Sequence, residues 1–290
     1  MARRGNFHIL DSFNHYVPGF GSGIGMLVLM FLAGALLGNA VELVLMKLTD
    51  AATAQEYGTL LAYPVMFLVP MVYTATKSRL DAFRVPGVKL DSSHFGASGG
   101  FVCALVASVL VLAMGFCADF FNSLLPPMPE WLENVLKGLT QGNVWLNLLC
   151  VSVFAPFCEE WLCRGMVMRG LMRRNVSPFW SIVISAIFFA VIHLNPWQAI
   201  PALVFGILFG YVYYKTGSLK LTMLMHCVNN TLAVVLGQID SLKDMDNWME
   251  VLPVPSYWIV FAGCLLLSVL GIRFFAKIPQ DNPLGNLDEV

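Results

Sequence analysis

The stretch FCEEWLCRG, residues 157–165, places three charged side chains among apolar neighbours. Its aromatic, leucine and cysteine residues are typical of a dry protein core or a membrane interior. Glu159, Glu160 and Arg164 are costly to place in such surroundings, and ionisable residues at membrane depth are functional-site candidates for that reason. The first question is therefore whether this stretch lies in a membrane.

The composition indicates an integral membrane protein. Of the 290 residues, 58% are hydrophobic and only 12% are charged, and the mean hydropathy is +0.71. Soluble proteins average roughly 45–50% apolar and about 25% charged residues. The formal net charge of −1 argues against a nucleic-acid partner. The lipid bilayer is the expected environment, and we predict a single membrane domain over residues 1–290.

Eight apolar segments are long enough, or nearly long enough, for a membrane span of about 20 residues. They predict an all-α, polytopic helical bundle with spans at approximately 24–46, 60–76, 97–118, 144–168, 178–194, 198–214, 220–236 and 256–276. Lysine and arginine divide 14 to 3 between the two sides of this layout. Under the positive-inside rule, this division predicts that both termini are cytoplasmic. In a bacterium, the protein would lie in the cytoplasmic (inner) membrane.

Helical geometry separates the two glutamates of the opening stretch. Neighbours on a helix diverge by about 100°, whereas residues four apart share a face. Glu160 therefore faces Arg164, and we expect the guanidinium to hold this carboxylate through two hydrogen bonds. Glu159 points elsewhere and has no local partner. A buried ion network that only ties helices together is the structural alternative.

Two further spans carry a deep histidine with the same four-residue spacing. Phe189 and His193 share a helix face in FFAVIH, and His226 and Asn230 share one in HCVNN. A single histidine in a membrane helix is often only an interhelical hydrogen bond. Two histidines, an unpaired glutamate and an asparagine from three spans form a set that is able to activate a water, bind a metal, or do both.

These motifs resemble those of the CPBP family of intramembrane proteases, which includes CAAX prenyl endopeptidases of the Rce1 type and lysostaphin-resistance proteins. The family's patterns are Glu-Glu-x-x-x-Arg, Phe-x-x-x-His and His-x-x-x-Asn, and all three occur here in this order. The matching residues are Glu159, Glu160 and Arg164, then Phe189 and His193, then His226 and Asn230. The resemblance covers residues 144–236, which it marks as the catalytic core, and it makes the six polar residues of the motifs the candidate site.

The resemblance implies an endopeptidase that hydrolyses a peptide bond of a peptide or protein substrate in or beside the membrane. It makes Glu159 the general base that activates the attacking water, with His193 orienting that water. His226 and Asn230 would stabilise the oxyanion. In an alternative assignment, Glu159, His193 and His226 are the ligands of a catalytic zinc ion. The residues leave both assignments open.

The expected depths of these residues conflict with a shared site. At about 1.5 Å per residue, Glu159 and His226 lie roughly 15 Å and 9 Å from the predicted cytoplasmic ends of their spans, whereas His193 lies about 24 Å from its own. Tilted helices, helices broken at Pro156 and Pro196, or span ends that differ from the predicted ones would bring the three side chains level, and we keep the three residues as one candidate site.

Three other functions remain open at the level of the sequence. GASG at 96–99 resembles the Gly-x-Ser-Gly of rhomboid serine proteases, with His193 or His226 as the partner of Ser98, but this reading leaves the glutamates unexplained. Glu159 and His193 could instead relay protons in a transporter, although we see no inverted repeat. A non-catalytic scaffold or immunity-type protein would keep the motif residues for structure alone.

Overall fold

The fold is known from a computed structural model, which describes residues 9–279 except 142, 244 and 246. Within this part of the chain there is no β-strand, and the predicted all-α bundle is confirmed. Its main helices, numbered in chain order, are α1 (Phe20–Leu48), α2 (Ala51–Asp81), α3 (Gly99–Asn122), α4 (Glu130–Gln141), α5 (Val144–Met172), α6 (Pro178–Ile192), α7 (Pro196–Thr216), α8 (Leu219–Gly237) and α9 (Val254–Ala276).

Seven of these helices are long and apolar enough to cross a membrane, so the protein is an integral, multi-pass membrane protein. The two others are α4 and α6. Helix α6 occupies the fifth predicted span and is apolar, but it has only 15 residues. At 1.5 Å per residue it measures about 22 Å, which is less than the roughly 30 Å of a bilayer's hydrocarbon core.

One end of the bundle, which we call the basic end, is formed where loops 82–98, 173–177 and 217–218 meet. The fully buried Arg169 of α5 donates hydrogen bonds to the carbonyls of Tyr16 at 2.6 Å and Val88 at 3.2 Å. The hydroxyl of Tyr213 on α7 donates to the carbonyl of Leu90 at 2.7 Å. These bonds fasten the segment before α1 and the loop after α2 to the helices that carry the site.

The opposite end, which we call the cavity end, is formed by loops 123–129, 193–195 and 238–253. Here the indole of Trp197 donates to the carbonyl of Pro126 at 2.9 Å, and the Gln238 amide donates to the carbonyl of Thr140 at 2.7 Å. Helix α6 starts at the basic end and finishes at the cavity end, so it connects the two in spite of its length. The described chain thus passes between the ends eight times, and both of its limits lie at the basic end.

Glycines allow α6 and α7 to approach closely behind the site. A Cβ atom added to Gly206 would lie 2.8 Å from the Cα of Ala186, and one added to Gly210 would lie 3.1 Å from Ile182. Such small residues let membrane helices pack backbone to backbone. The approach also brings the Gly206 carbonyl next to α5, where it becomes part of the site.

Candidate active site

Helix α5 carries the two glutamates in the short α-helical segment Ala155–Glu160. Wide, π-helical turns precede and follow this segment, at Leu148–Phe154 and Trp161–Met168. The first set is explained by Pro156, because proline has no N–H for the carbonyl four residues earlier and its ring crowds that carbonyl. Turns of this kind within α-helices are frequent at functional sites.

Glu160 and Arg164 form an ion pair whose side chains are both 0% exposed. Arg164 Nη1 donates to Glu160 Oε1 at 2.8 Å. The predicted second bond to the carboxylate is wrong, because Nη2 donates instead to the Gly206 carbonyl at 2.9 Å and Glu160 Oε2 has no hydrogen-bond partner. The close packing of α7 puts that carbonyl within reach, and the rings of Phe189 and Phe209 lie 4.7 Å and 5.4 Å from the guanidinium carbon.

Glu159 points away from Arg164 and meets side chains from two other helices. The hydroxyl of Tyr63 on α2 donates a hydrogen bond to Glu159 Oε1. On the other side, His226 Nε2 of α8 lies 4.0 Å from Glu159 Oε2. Oε2 itself is buried and has no hydrogen-bond partner. One carboxylate oxygen is therefore fixed by a donor, and the other is available to accept a proton.

His226 lies between the two glutamates. Its Nδ1 is 3.3 Å from Glu160 Oε1, without the geometry of a hydrogen bond, and its Nε2 faces Glu159. The edge-on ring of Phe189 and the tilted ring of Phe209 hold the imidazole at centroid distances of 5.3 Å and 5.7 Å. The buried ion pair, the aromatic rings and the histidine thus form one packed unit.

His193 lies apart from this unit. Its Nδ1 is 2.9 Å from the carbonyl of Phe189 in its own helix, and the Phe189 ring contacts both His193, at 5.4 Å, and His226, at 5.3 Å. Within the described part of the chain, His193 makes no hydrogen bond or ion pair with Glu159 or His226. His193 is therefore linked to His226 through the ring of Phe189 and not by a direct bond, and the unequal depth expected from the sequence stays a prediction.

Asn230 joins α8 to the first wide turns of α5. Its Nδ2 donates to the carbonyl of Val151 at 2.8 Å, and its Oδ1 accepts from Asn229 at 3.3 Å. An amide nitrogen carries two hydrogens, so one hydrogen of Asn230 is left for a ligand.

These groups face a cavity of about 530 Å³ that opens at the cavity end. Glu159, His226, Asn230 and Tyr63 line its inner part, and His193 lines it as well. Its outer part is lined by residues from α4 and from the loops of the cavity end, and many of the other lining residues are apolar, among them Leu60, Leu136, Ile192, Phe205, Met128 and Trp197. Apolar walls with a few convergent polar groups are typical of a ligand site.

The three candidate zinc ligands of the alternative assignment are not grouped together among the described residues. Among the described residues, no three His, Cys, Asp or Glu side chains are grouped so that they could hold a metal ion. Glu159 and His226 are near enough to share an ion, because 4.0 Å is about twice a zinc–ligand bond of roughly 2.0 Å. His193 is not grouped with them. The zinc set of Glu159, His193 and His226 stays a prediction that this arrangement does not favour.

Sequence reasoning missed Tyr63, because it lies outside the three motifs and nearly a hundred residues before Glu159. A signal was present in LLAYPVMF, residues 60–67, where a phenol stands within an apolar span. Buried tyrosine hydroxyls usually find a hydrogen-bond partner, so this position was a candidate for a polar contact. The carbonyl of Gly206 and the ring of Phe209 were missed for the same reason, since only the packing of α7 brings them to the site.

Ser98 is placed where a serine mechanism would not use it. It is exposed, and it precedes α3 at the basic end of the bundle. The residue of α3 that lines the cavity is Asn122, at the opposite end of that helix. The position of Ser98 therefore gives no support to the rhomboid-like alternative.

A comparison with known families agrees with the motifs. Residues 141–232 match the family model Rce1-like, described as type II CAAX prenyl endopeptidase Rce1-like. All three motifs lie within the matched segment, so the resemblance to this family of membrane endopeptidases is confirmed. No curated protein and no solved structure matches the chain. The match supports a membrane protease acting on a peptide or protein substrate, and the predicted extent of the catalytic core, 144–236, stays a prediction.

Proposed function

We propose that this protein is an intramembrane endopeptidase in which Glu159 activates the water that attacks a peptide bond in or beside the membrane. The observation that carries the proposal is the buried, unpartnered Oε2 of Glu159, which lies 4.0 Å from His226 Nε2 at the cavity wall. The 4.0 Å distance suits one water hydrogen-bonded to both atoms, at about 2.8 Å from each, once a small shift of the neighbouring side chains opens space beside the buried Oε2. Glu159 is then within reach of the proton that it must remove.

In the proposed reaction, Glu159 Oε2 takes a proton from the water as the water oxygen attacks the carbonyl carbon of the substrate. The carbonyl oxygen becomes negatively charged, and the remaining amide hydrogen of Asn230 and the Nε2 side of His226 are the groups placed to stabilise it. Glu159 then returns the proton to the nitrogen of the departing amine, and the peptide bond breaks. The reaction consumes one water and needs no other reactant.

The other motif residues have supporting roles in this proposal. Glu160 and Arg164 fix α5, α7 and the imidazole of His226 relative to one another, so that Nε2 keeps facing Glu159. His193 lines the cavity apart from Glu159 and His226, and we assign it to contact with the substrate instead of the water. In a bacterium the enzyme would act in the cytoplasmic membrane.

The test is a cleavage assay with the purified protein in proteoliposomes. Fluorescent peptides with and without a C-terminal farnesyl group are incubated with the wild-type protein and with Glu159→Gln. Cleavage of either peptide that is lost in the variant supports the proposal, and the pair of peptides shows whether the lipid group matters. Equal cleavage by both proteins would make the role of Glu159 wrong.

Tyr63→Phe provides a second test, because it removes only the hydroxyl that donates to Glu159 Oε1. A hydrogen bond to a charged group contributes about 1.5–3 kcal/mol, so we expect kcat to fall about 10- to 100-fold with little change in KM. The measurement is the rate of peptide cleavage as a function of substrate concentration, which separates kcat from KM.

The matched control is Tyr57→Phe, which makes the same change two turns earlier on α2 at a residue that does not line the cavity. This variant should keep the wild-type kcat and KM. A Tyr63→Phe enzyme with the kcat of Tyr57→Phe, or one whose loss lies in KM alone, would show that the hydroxyl does not support Glu159.

A further inference from the structure

The cavity opens at the end of the bundle that is poor in lysine and arginine, and we infer from this that the enzyme takes its substrates from the non-cytoplasmic side of the membrane. The inference rests on the proposed function of the cavity as the site of hydrolysis. The substrates are then polypeptide segments that are presented where the non-cytoplasmic face of the membrane meets water.

The cavity is built from the portions of the helices that are nearer to the cavity end. Helix α2 contributes residues from its first half and α3 contributes its last residue. Helices α5 and α7 contribute residues mostly from their first halves, with Glu159 and Phe209 just beyond the midpoints. Helix α6 contributes residues from its end, and α8 contributes His226, just before its midpoint, and residues from its second half. Amphipathic helix α4 lies along the opening and contributes Glu133, Leu136, Lys137, Leu139 and Thr140. The opening therefore faces one side of the bundle only.

The described lysines and arginines collect at the other side. Eleven of them lie at the basic end, namely Lys77, Arg79, Arg84, Lys89, Arg169, Arg173, Arg174, Lys215, Lys220, Arg273 and Lys277. Three lie at the cavity end, namely Lys47, Lys137 and Lys243. Arg164 lies between the two ends, in its buried pair with Glu160.

The unequal division of the described lysines and arginines between the two ends indicates how the protein is oriented in the membrane. An excess of lysine and arginine in short loops and near the ends of membrane helices marks the cytoplasmic side. The connections at the basic end are short, with loops 82–98, 173–177 and 217–218. The basic end is therefore assigned to the cytoplasm, which leaves the cavity opening on the other side.

Tryptophans around the opening indicate its level in the membrane. Trp131 on α4 and Trp145 at the start of α5 are 68% and 78% exposed. Tryptophan is enriched at the interface between a membrane and water, so the opening lies at the height of the lipid headgroups. A polypeptide can reach it there without first crossing the bilayer.

Cysteine labelling tests the side of access with two matched variants of the full-length protein in intact bacterial cells. Ala233→Cys places a thiol on the cavity wall of α8, and Ala82→Cys places one at the basic end of α2; both alanines are exposed. A membrane-impermeant maleimide should label Ala233→Cys in intact cells and Ala82→Cys only after permeabilisation. Both substitutions are made in a Cys150→Ala background, because Cys150 lines the same cavity. This background protein is the blank, since the other cysteines within the described residues are buried or half-buried.

The reverse pattern would overturn the inference. So would labelling of both variants from the same side, or protection of Ala233→Cys at both steps, because either result removes the proposed opening. Labelling does not depend on proteolysis. The experiment can therefore show that substrates enter from the other side even if the protein is an endopeptidase. Unchanged cleavage by Glu159→Gln in the assay above would remove the function even with the labelling as expected.

Discussion

Glu159→Gln is expected to lower kcat for peptide cleavage by about 10²- to 10⁴-fold, which is the usual contribution of a general base. Glutamine keeps the shape of the side chain and an oxygen that can accept the hydrogen bond from Tyr63, but it cannot take a proton from water. The folded yield should stay close to that of the wild type, because among the described residues Glu159 has no ion pair with an arginine or lysine and its Oε2 has no hydrogen-bond partner. The measurements are the cleavage rate and the thermal unfolding midpoint in detergent.

Glu133→Gln is the matched control, since Glu133 also lines the cavity but lies on α4. It loses only a partly exposed ion pair with Lys137, whose atoms are 2.7 Å apart, and such pairs contribute at most about 1 kcal/mol. The control should cleave at nearly the wild-type rate. A Glu159→Gln enzyme as active as Glu133→Gln would rule out water activation by Glu159.

Glu160→Gln is expected to destabilise the folded protein by about 3–5 kcal/mol, because it leaves the charge of Arg164 buried without its counter-ion. Both side chains are fully buried, so water cannot replace the lost carboxylate. Activity should fall together with stability, since Glu160 Oε1 is also 3.3 Å from His226 Nδ1. The free energy of unfolding in detergent separates this variant from Glu159→Gln, which should lose activity alone.

A double variant checks the cause of this loss. Glu160→Leu combined with Arg164→Met removes both charges, and replacing a buried ion pair by apolar residues is often nearly neutral. The double variant should therefore be more stable than either single change, with an interaction free energy of about 0.5–3 kcal/mol. If the two single losses simply add, the pair is not the source of the destabilisation.

The helices and the Glu160–Arg164 pair could be predicted because both depend on local sequence. Apolar segments of sufficient length predict spans, and a spacing of four places Glu160 and Arg164 on one helix face. The same spacing says nothing of the partners that other helices supply. The second nitrogen of Arg164 binds the Gly206 carbonyl instead of the carboxylate because α7 packs closely there, and this is a property of the tertiary structure.

The histidines show the limit of arguing from a shared helix face. The spacing pairs Phe189 with His193, but it does not show that the ring of Phe189 contacts both histidines while His193 stays apart from Glu159. Tyr63 could not be assigned to Glu159 from spacing, because 96 positions separate the two residues and only the packing of α2 on α5 brings them together.

The short length of α6 has a consequence for the lipids that surround the enzyme. Its exposed apolar residues, such as Ile187 and Val191, leave it facing the acyl chains, yet its length of about 22 Å is some 8 Å less than that of an ordinary hydrocarbon core. Such hydrophobic mismatch is relieved when the neighbouring lipids thin the bilayer locally. A thinner membrane beside α6 would bring water and headgroups closer to the cavity, so the acyl-chain length of the host membrane should become one of the determinants of how readily a substrate is cleaved.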